Sequence, residues 1–349
     1  MLCKERFERW AEKSINPSHV LDALTKLEIV EIVLTKGEDD PQVIFESINS
    51  TGLELSNADL IRNYLLMNAD DQEKLYENYW LYIEKTLRNK MDYSNLDAFF
   101  MQYIVYKTSK PVNSRQLYNS FVKLFKDSGY SQENILKELR YYAEIFGAFV
   151  YGSDRYSDRI NKLLYRLRVL NQTTCYPFLL HVFDDYHQGV ITEETVEKIL
   201  QFILAYLLRR MVCGVPSNTL RGLFTYLYNR IFKVASNKQK YYETLNKFLF
   251  TVSSKDVIPS AAEFERALQK ANIYGNNALC RFLLLDIENG DGKEILQAEN
   301  LTIEHIMPQT LSADWSHIRP EEHEEYLHTL GNLSVTGYNS ELSNKSFAE

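Results

Sequence analysis

"TEETVEKILQFILAYLLRR" (192–210) decides the fold class. Val196, Ile199, Leu200, Ile203, Leu204 and Leu207 recur at spacings of three and four. That is the period of a helix burying one face, not the two-residue alternation of a strand. "EKLYENYWLYIEKTL" (73–87), "LDAFFMQYIVYKT" (96–108), "SRQLYNSFVKLFKDS" (114–128) and "ENILKELRYYAEIFGAFV" (133–150) show the same spacing. Short polar or Gly-containing links, such as "KDSGYSQ" (126–132) and "YHQGVIT" (186–192), separate the helices, and no fixed repeat period stands out. The middle of the chain therefore reads as a helical bundle and not a repeat array. Its many Tyr and Phe side chains, 24 and 18 in the whole chain, read as core stripes rather than a base-stacking surface.

Outward from the bundle, the N-terminal part is mixed. "KLEIVEIVLT" (26–35) is β-branched and alternating enough for a strand, and "PQVIFESIN" (41–49) opens with Pro at a helix start. "STG" (50–52) breaks the chain. In "LSNADLIRNYLLMN" (55–68) Ser56 caps a helix with Asp59 three residues on, and Leu60, Ile61, Tyr64 and Leu65 share one face.

Length and composition bound the rest. The 349 residues suffice for two or three domains, and 45% hydrophobic with 25% charged residues describes a globular chain. No apolar run approaches a membrane span, and "MLCKERFERWAEK" (1–13) lacks the apolar core of a signal peptide, so the expected location is cytoplasmic and no membrane partner is expected. Cys3, Cys175, Cys213 and Cys280 are scattered without a CxxC pair and read as ordinary buried thiols.

The formal net charge of -8 alone argues against a nucleic-acid partner, but it hides a split. Residues 201–250 carry +7, residues 251–349 carry -9, and residues 1–200 carry -6. In the basic segment Arg209, Arg210, Arg221, Arg230, Lys233, Lys238 and Lys240 lie along a helical pattern. Two readings stand side by side here: a solvated helix face, or a face contacting DNA phosphates through Arg209, Arg210, Arg221 and Lys233.

Further on, "SAAEFERALQ" (260–269) opens with a capping box, Ser260 with Glu263, and the polar "IENGDGKEILQAEN" (287–300) reads as a link. It leads to "LTIEHIMPQ" (301–309), a short strand ended by Pro308 that sets Glu304 beside His305. A His is the side chain most easily used as a general base near neutral pH. Neighbours on a strand point to opposite faces, so the pair meets one ligand only where the strand ends or bends. Downstream, "LGNLSVTGYNSELSNKSF" (330–347) offers Asn332, Asn339 and Asn344 on a second strand followed by a helix from Asn339. Strand, loop, strand and helix can present a base and oxygen ligands to one hard cation, Mg²⁺ or Mn²⁺, and the chemistry implied is metal-assisted phosphodiester hydrolysis. His317, His323 and His328 are too irregularly spaced for one helix face, and no cysteine lies near them to complete a zinc site. Gly52 lacks the Gly-Lys-Ser/Thr ending of a phosphate loop.

"IEHIMPQ" followed by "LGNLSVTGYNSELSNKSF" resembles the HNH, or His-Me finger, motif of the GmrSD-type modification-dependent restriction endonucleases. "IFESINSTGLELSNADLIRNYLL" (44–66) resembles the stretch after the active-site region of their ParB-like nucleotide-hydrolysing domain, and "LRRMVCG" (208–214) a stretch before their nuclease finger. The resemblance implies His305 as general base, Glu304 as the acidic metal ligand, Asn332 as the brace of the loop between the strands, and Asn339 as a second metal ligand with Asn344 in reserve. It implies DNA, plain or carrying modified bases, as the partner; a homo-oligomer is compatible with it. The Asp-Gly-Gln-Gln-Arg motif of nucleotide hydrolysis is absent upstream of the Phe-Glu-Ser-Ile-Asn segment, and the chain ends within or just after the finger helix. The expectation is an internal or truncated piece, with any nucleotide belonging to the complete protein only.

The expected architecture is mainly α. Residues 1–70 form the end of a ParB-like α/β domain, 71–205 a helical domain, and 206–349 a nuclease domain with a C-terminal ββα-metal motif. The alternative is a non-catalytic helical DNA-binding or regulatory module with a degenerate nuclease finger.

Overall fold

The computed structural model describes residues 16–28, 31, 33, 44, 55–67, 69–88, 94–252, 255–291 and 301–336. The chain divides into two compact units, 1–54 and 55–349, and each is described by itself. In the first, α1 (Pro17–Leu24) starts where Asn16 accepts the Ser18 amide at 3.1 Å, with Pro at the first helical position. The strand expected over 26–35 falls mostly outside the described residues, and its members Leu27, Glu28, Glu31 and Val33 belong to no regular element. Of the helix expected after Pro41, Ile44 is described and is helical.

The second unit opens with α2 (Asn57–Met67), capped as expected: the Asp59 amide donates to Ser56 Oγ at 3.1 Å and Ser56 Oγ to Asp59 Oδ2 at 2.7 Å. Ile61 and Leu65 are fully buried. α3 (Gln72–Leu75) passes through a π-helical turn, Tyr76–Trp80, into α4 (Leu81–Leu87). The turn delivers Trp80 to the core, where its indole N–H donates to Glu84 at 2.8 Å. Then follow α5 (Ser94–Thr108), α6 (Leu117–Ser128), α7 (Gln132–Tyr151), α8 (Asp158–Val169), α9 (Tyr176–His187), α10 (Glu193–Val212), α11 (Leu220–Phe232), α12 (Tyr241–Thr251), α13 (Ala261–Lys270) and α14 (Asn277–Asp291). α10 runs unbroken through the boundary drawn at 205/206.

Burial follows the apolar stripes. α9 lies at the centre, packed on α5, α7, α10 and α11, and buries Phe178, Leu179, Leu180, Val182 and Phe183. Aromatic rings meet edge to face there, as between Phe149 and Phe183 at 5.0 Å and 70°, the arrangement that ring quadrupoles favour. His181 is sandwiched between the rings of Tyr228 (3.8 Å) and Tyr106 (4.2 Å), and burial pushes its imidazole down to about 3, so it stays neutral. Cys175 and Cys280 are buried and Cys213 is half-buried. Among the described residues no helix is long and apolar enough to cross a membrane.

Gly147 on α7 lets α4 come close: a Cβ there would lie 2.8 Å from Thr86 Cγ2. Thr86 is β-branched and stiff in its helix, so the clash is not relieved by a rotamer change. Gly147→Val is expected to cost about 1–3 kcal/mol in urea unfolding, with part recovered when Thr86→Ser accompanies it. Equal costs in both backgrounds would show that the two helices do not meet there.

The C-terminal part rests on α13 and α14. Ser260 and Glu263 close the expected capping box at the start of α13, with the Ser260 amide donating to Glu263 Oε2 at 2.8 Å and the Glu263 amide to Ser260 Oγ at 3.3 Å. α14 corrects one expectation: the stretch read as a polar link from Ile287 stays helical to Asp291, because Leu279, Cys280, Phe282 and Leu284 hold the helix in the core. Against α14 pack β2 (Leu333–Thr336) and the 3-10 turn Leu330–Asn332 before it. β2 pairs antiparallel with β1 (Thr302–His305), and α15 (Pro320–Tyr326) lies in the connection between them. The described residues are thus mainly helical with one two-stranded sheet. The helix expected from Asn339 lies outside them.

Candidate functional site

The two strands pair in the register Thr302↔Thr336, Ile303↔Val335, Glu304↔Ser334 and His305↔Leu333. His305 is the last residue of β1 and stands opposite Leu333, which is buried in the core. The chain then bends through Ile306 and Met307 into Pro308. Asn332 holds this bend from within: its Oδ1 accepts the Met307 amide at 2.7 Å, and its Nδ2 donates to the carbonyls of Met307 (3.1 Å) and Leu327 (2.8 Å). The Ile306 amide adds a bond to the Asn332 carbonyl at 2.9 Å. The buried Asn332 amide group thus ties the loop after β1 to the loop before β2.

Three side chains surround the His305 ring. His305 Nε2 lies 3.1 Å from Nδ1 of His328, and His305 Nδ1 lies 3.3 Å from the Gln309 amide nitrogen. Tyr274 meets His305 edge-on at 4.5 Å and stacks on His328 at 5.1 Å and 9°. Burial first, then the neighbouring His328 and His323, lower the His305 pKa from its ordinary value near 6.5. A half-buried imidazole of this kind is neutral at pH 7 and can take a proton. His323 bonds the Pro308 carbonyl through Nε2 at 2.9 Å, and His317 stacks on Trp315 at 5.9 Å. The three C-terminal histidines therefore go to three different partners.

Glu304 precedes His305 on the strand and is half-buried, with no hydrogen bond or ion pair to any described residue. Among the described residues no group of three or more His, Cys, Asp or Glu side chains is gathered to hold a metal. Asn339 and Asn344 lie outside the described residues.

The four residues expected to meet DNA phosphates separate. Arg210 is a correction: it is 1% exposed, and its guanidinium donates to the carbonyls of Lys255 (2.8 Å), Val257 (3.3 Å) and Pro216 (3.0 Å). It braces the fold and cannot reach a phosphate. Arg209 is half-buried and donates to the Pro259 carbonyl at 3.2 Å. Arg221 is exposed and donates to the Val112 carbonyl. Lys233, exposed at the end of α11, makes no bond to a described residue.

Tyr274, His328 and Gln309 escaped the sequence reading. Gln309 lies four residues beyond His305, a short reach that the sequence contains. Tyr274 and His328 come together only because the Ile273 and Tyr274 amides donate to the His328 carbonyl, at 2.9 and 3.4 Å, a link between distant loops that no spacing reveals.

Residues 258–349 match the family described as GmrSD restriction endonucleases, C-terminal domain. The match covers α13, α14 and both strands, and supports a GmrSD-type C-terminal region there. No curated protein matches the chain.

Proposed function

We propose that the C-terminal region is the working part of a metal-dependent DNA endonuclease of the HNH, or His-Me finger, kind, serving restriction of foreign DNA. One observation carries this reading. A neutral imidazole stands at a strand end, on a loop braced by a buried Asn, beside a free carboxylate, in a segment matching a restriction-endonuclease domain. In this mechanism His305 takes the proton of the water that attacks the phosphodiester, and Asn332 keeps the loop from drifting as the ring becomes charged. Mg²⁺ keeps most of its waters and needs one or two protein oxygens, so the Glu304 carboxylate, with no competing cation among the described residues, fits as one of them. Asn339 is the second oxygen ligand in this reading, with Asn344 in reserve. When bound, the ion supplies charge stabilisation for the phosphate and the leaving oxygen. The N-terminal resemblance places a ParB-like remnant ahead of the helical unit, with nucleotide hydrolysis left to the complete protein.

The test is cleavage of plain and base-modified plasmid DNA with Mg²⁺, Mn²⁺ or EDTA. Cutting is expected with either metal, none with EDTA, and a loss of about 10²–10⁴-fold in His305→Ala. The low pKa of His305 adds a sign: activity holds at neutral pH and is lost on acidification, below the ordinary histidine value. Cutting that survives EDTA or the mutation rejects the mechanism. A folded chain that cuts nothing leaves the alternative, DNA binding whose salt dependence weakens in Lys233→Ala.

A further inference from the structure

We propose that His328 is a positioning residue that fixes the proton and the orientation of the His305 ring, leaving Nδ1 of His305 as the atom that accepts a proton. The proposal rests on the nuclease reading for its role in catalysis, but its geometry stands apart from that reading.

His305 Nε2 and His328 Nδ1 are 3.1 Å apart, so one of the two nitrogens carries the shared proton. The other end of the His305 ring decides which. Its Nδ1 faces the amide nitrogen of Gln309 at 3.3 Å, and an amide N–H needs a bare lone pair opposite it. With Nδ1 bare, the neutral ring carries its proton on Nε2 and donates it to His328 Nδ1. His328 then keeps its own proton on Nε2, and every contact pairs a donor with an acceptor. The reverse arrangement would set two N–H groups against each other at Gln309.

The His328 ring is itself held. Tyr274 lies flat on it, and its backbone carbonyl accepts the Ile273 and Tyr274 amides. These bonds belong to the main chain and survive a change of the side chain. Gln309 is exposed, so its amide can leave Nδ1 to a water molecule. When Nδ1 takes a proton, the Nε2–H bond to His328 strengthens, because a charged donor bonds more strongly than a neutral one. His328 thus orients the base by one nitrogen and stabilises its cation by the same bond.

The experiment is side-chain ¹⁵N spectroscopy of the full chain with labelled histidine, at a pH where the rings are neutral. The His305 signals are identified by their loss in His305→Ala. The expected pattern in the native chain is the Nε2–H tautomer for His305. In His328→Ala the pattern should shift toward Nδ1–H or a mixture. His328→Asn, whose amide oxygen can stand near the former Nδ1, should restore it. In the cleavage assay His328→Ala should lower kcat about tenfold to a hundredfold with KM for DNA unchanged, as loss of a partner that orients a functional imidazole does, and His328→Asn should recover most of it. A native Nδ1–H tautomer at His305, or an Nε2–H pattern untouched by His328→Ala, overturns the proposal. Cleavage that ignores His305→Ala while the spectra behave as expected overturns the nuclease reading and leaves the pairing standing.

Discussion

Arg210→Leu should lower the stability of the helical unit by roughly 3–5 kcal/mol, one of the largest effects that a single side chain in this molecule can have. The guanidinium sits at the end of α10 in a buried site without a carboxylate partner among the described residues. Its charge is balanced by carbonyl dipoles: those of Lys255 and Val257 from the α12–α13 connection, and that of Pro216 from the turn before α11. The face of Tyr206 lies 5.5 Å from it, and the Tyr206 hydroxyl bonds the Asp256 carbonyl at 2.7 Å. Leucine replaces the volume and leaves those carbonyls buried without donors. Lysine keeps the charge but not the planar fork that reaches three carbonyls, so Arg210→Lys should also lose most of the stabilisation. Urea unfolding measures both. Lys233→Ala, at an exposed residue, should move stability by less than about 0.5 kcal/mol and so serves as the control. If Arg210→Leu behaved like that control while weakening DNA binding in a salt-dependent way, Arg210 would be a phosphate contact after all.

That contrast shows what could and could not be read from the chain alone. A run of Arg and Lys reports composition, not exposure. Yet position 210 falls on the face of α10 that carries Ile203 and Leu207, so the same three-and-four spacing that identified the helix also placed this arginine inside. The helices were legible because burial of one face imposes a period on the sequence, and their starts because capping is local chemistry, as at Ser56 and Ser260. The short strand ending at His305 was legible from Pro308 and the apolar residues before it. The continuation of α14 to Asp291 was not, since Gly290 and the acidic residues around it carry a turn's composition on a helix held by its earlier core residues. At the candidate site, Glu304, His305 and Asn332 stood out as chemistry-bearing types near a strand end. Tyr274 and His328 did not, because an aromatic in a polar connection and a histidine after a short acidic helix acquire meaning only when the chain folds back on itself.

Asn332→Ala should loosen the segment from β1 to β2 by roughly 3–4 kcal/mol and, through the nuclease reading, remove DNA cleavage with it. Three polar groups lose their partner at once: the Met307 amide and the carbonyls of Met307 and Leu327. Each buried orphan costs about 1–3 kcal/mol, and the loop must either bear that cost or open to water. Hydrogen exchange separates these outcomes from global unfolding. Amides of residues 301–336 should exchange faster, while those of α7 and α9 keep their protection. Asn332→Asp sharpens the argument by its sign. One carboxyl oxygen can still accept the Met307 amide, but the other must face two carbonyls, which favours the protonated form and raises the folded-state pKa above the unfolded value near 3.9. Whatever stability this variant regains over Asn332→Ala should therefore be full at low pH and vanish as pH rises through the raised pKa. An Asn332→Asp chain that instead grew more stable with rising pH would mean that the side chain no longer faces those carbonyls, and that the bend carrying His305 is held by something other than Asn332.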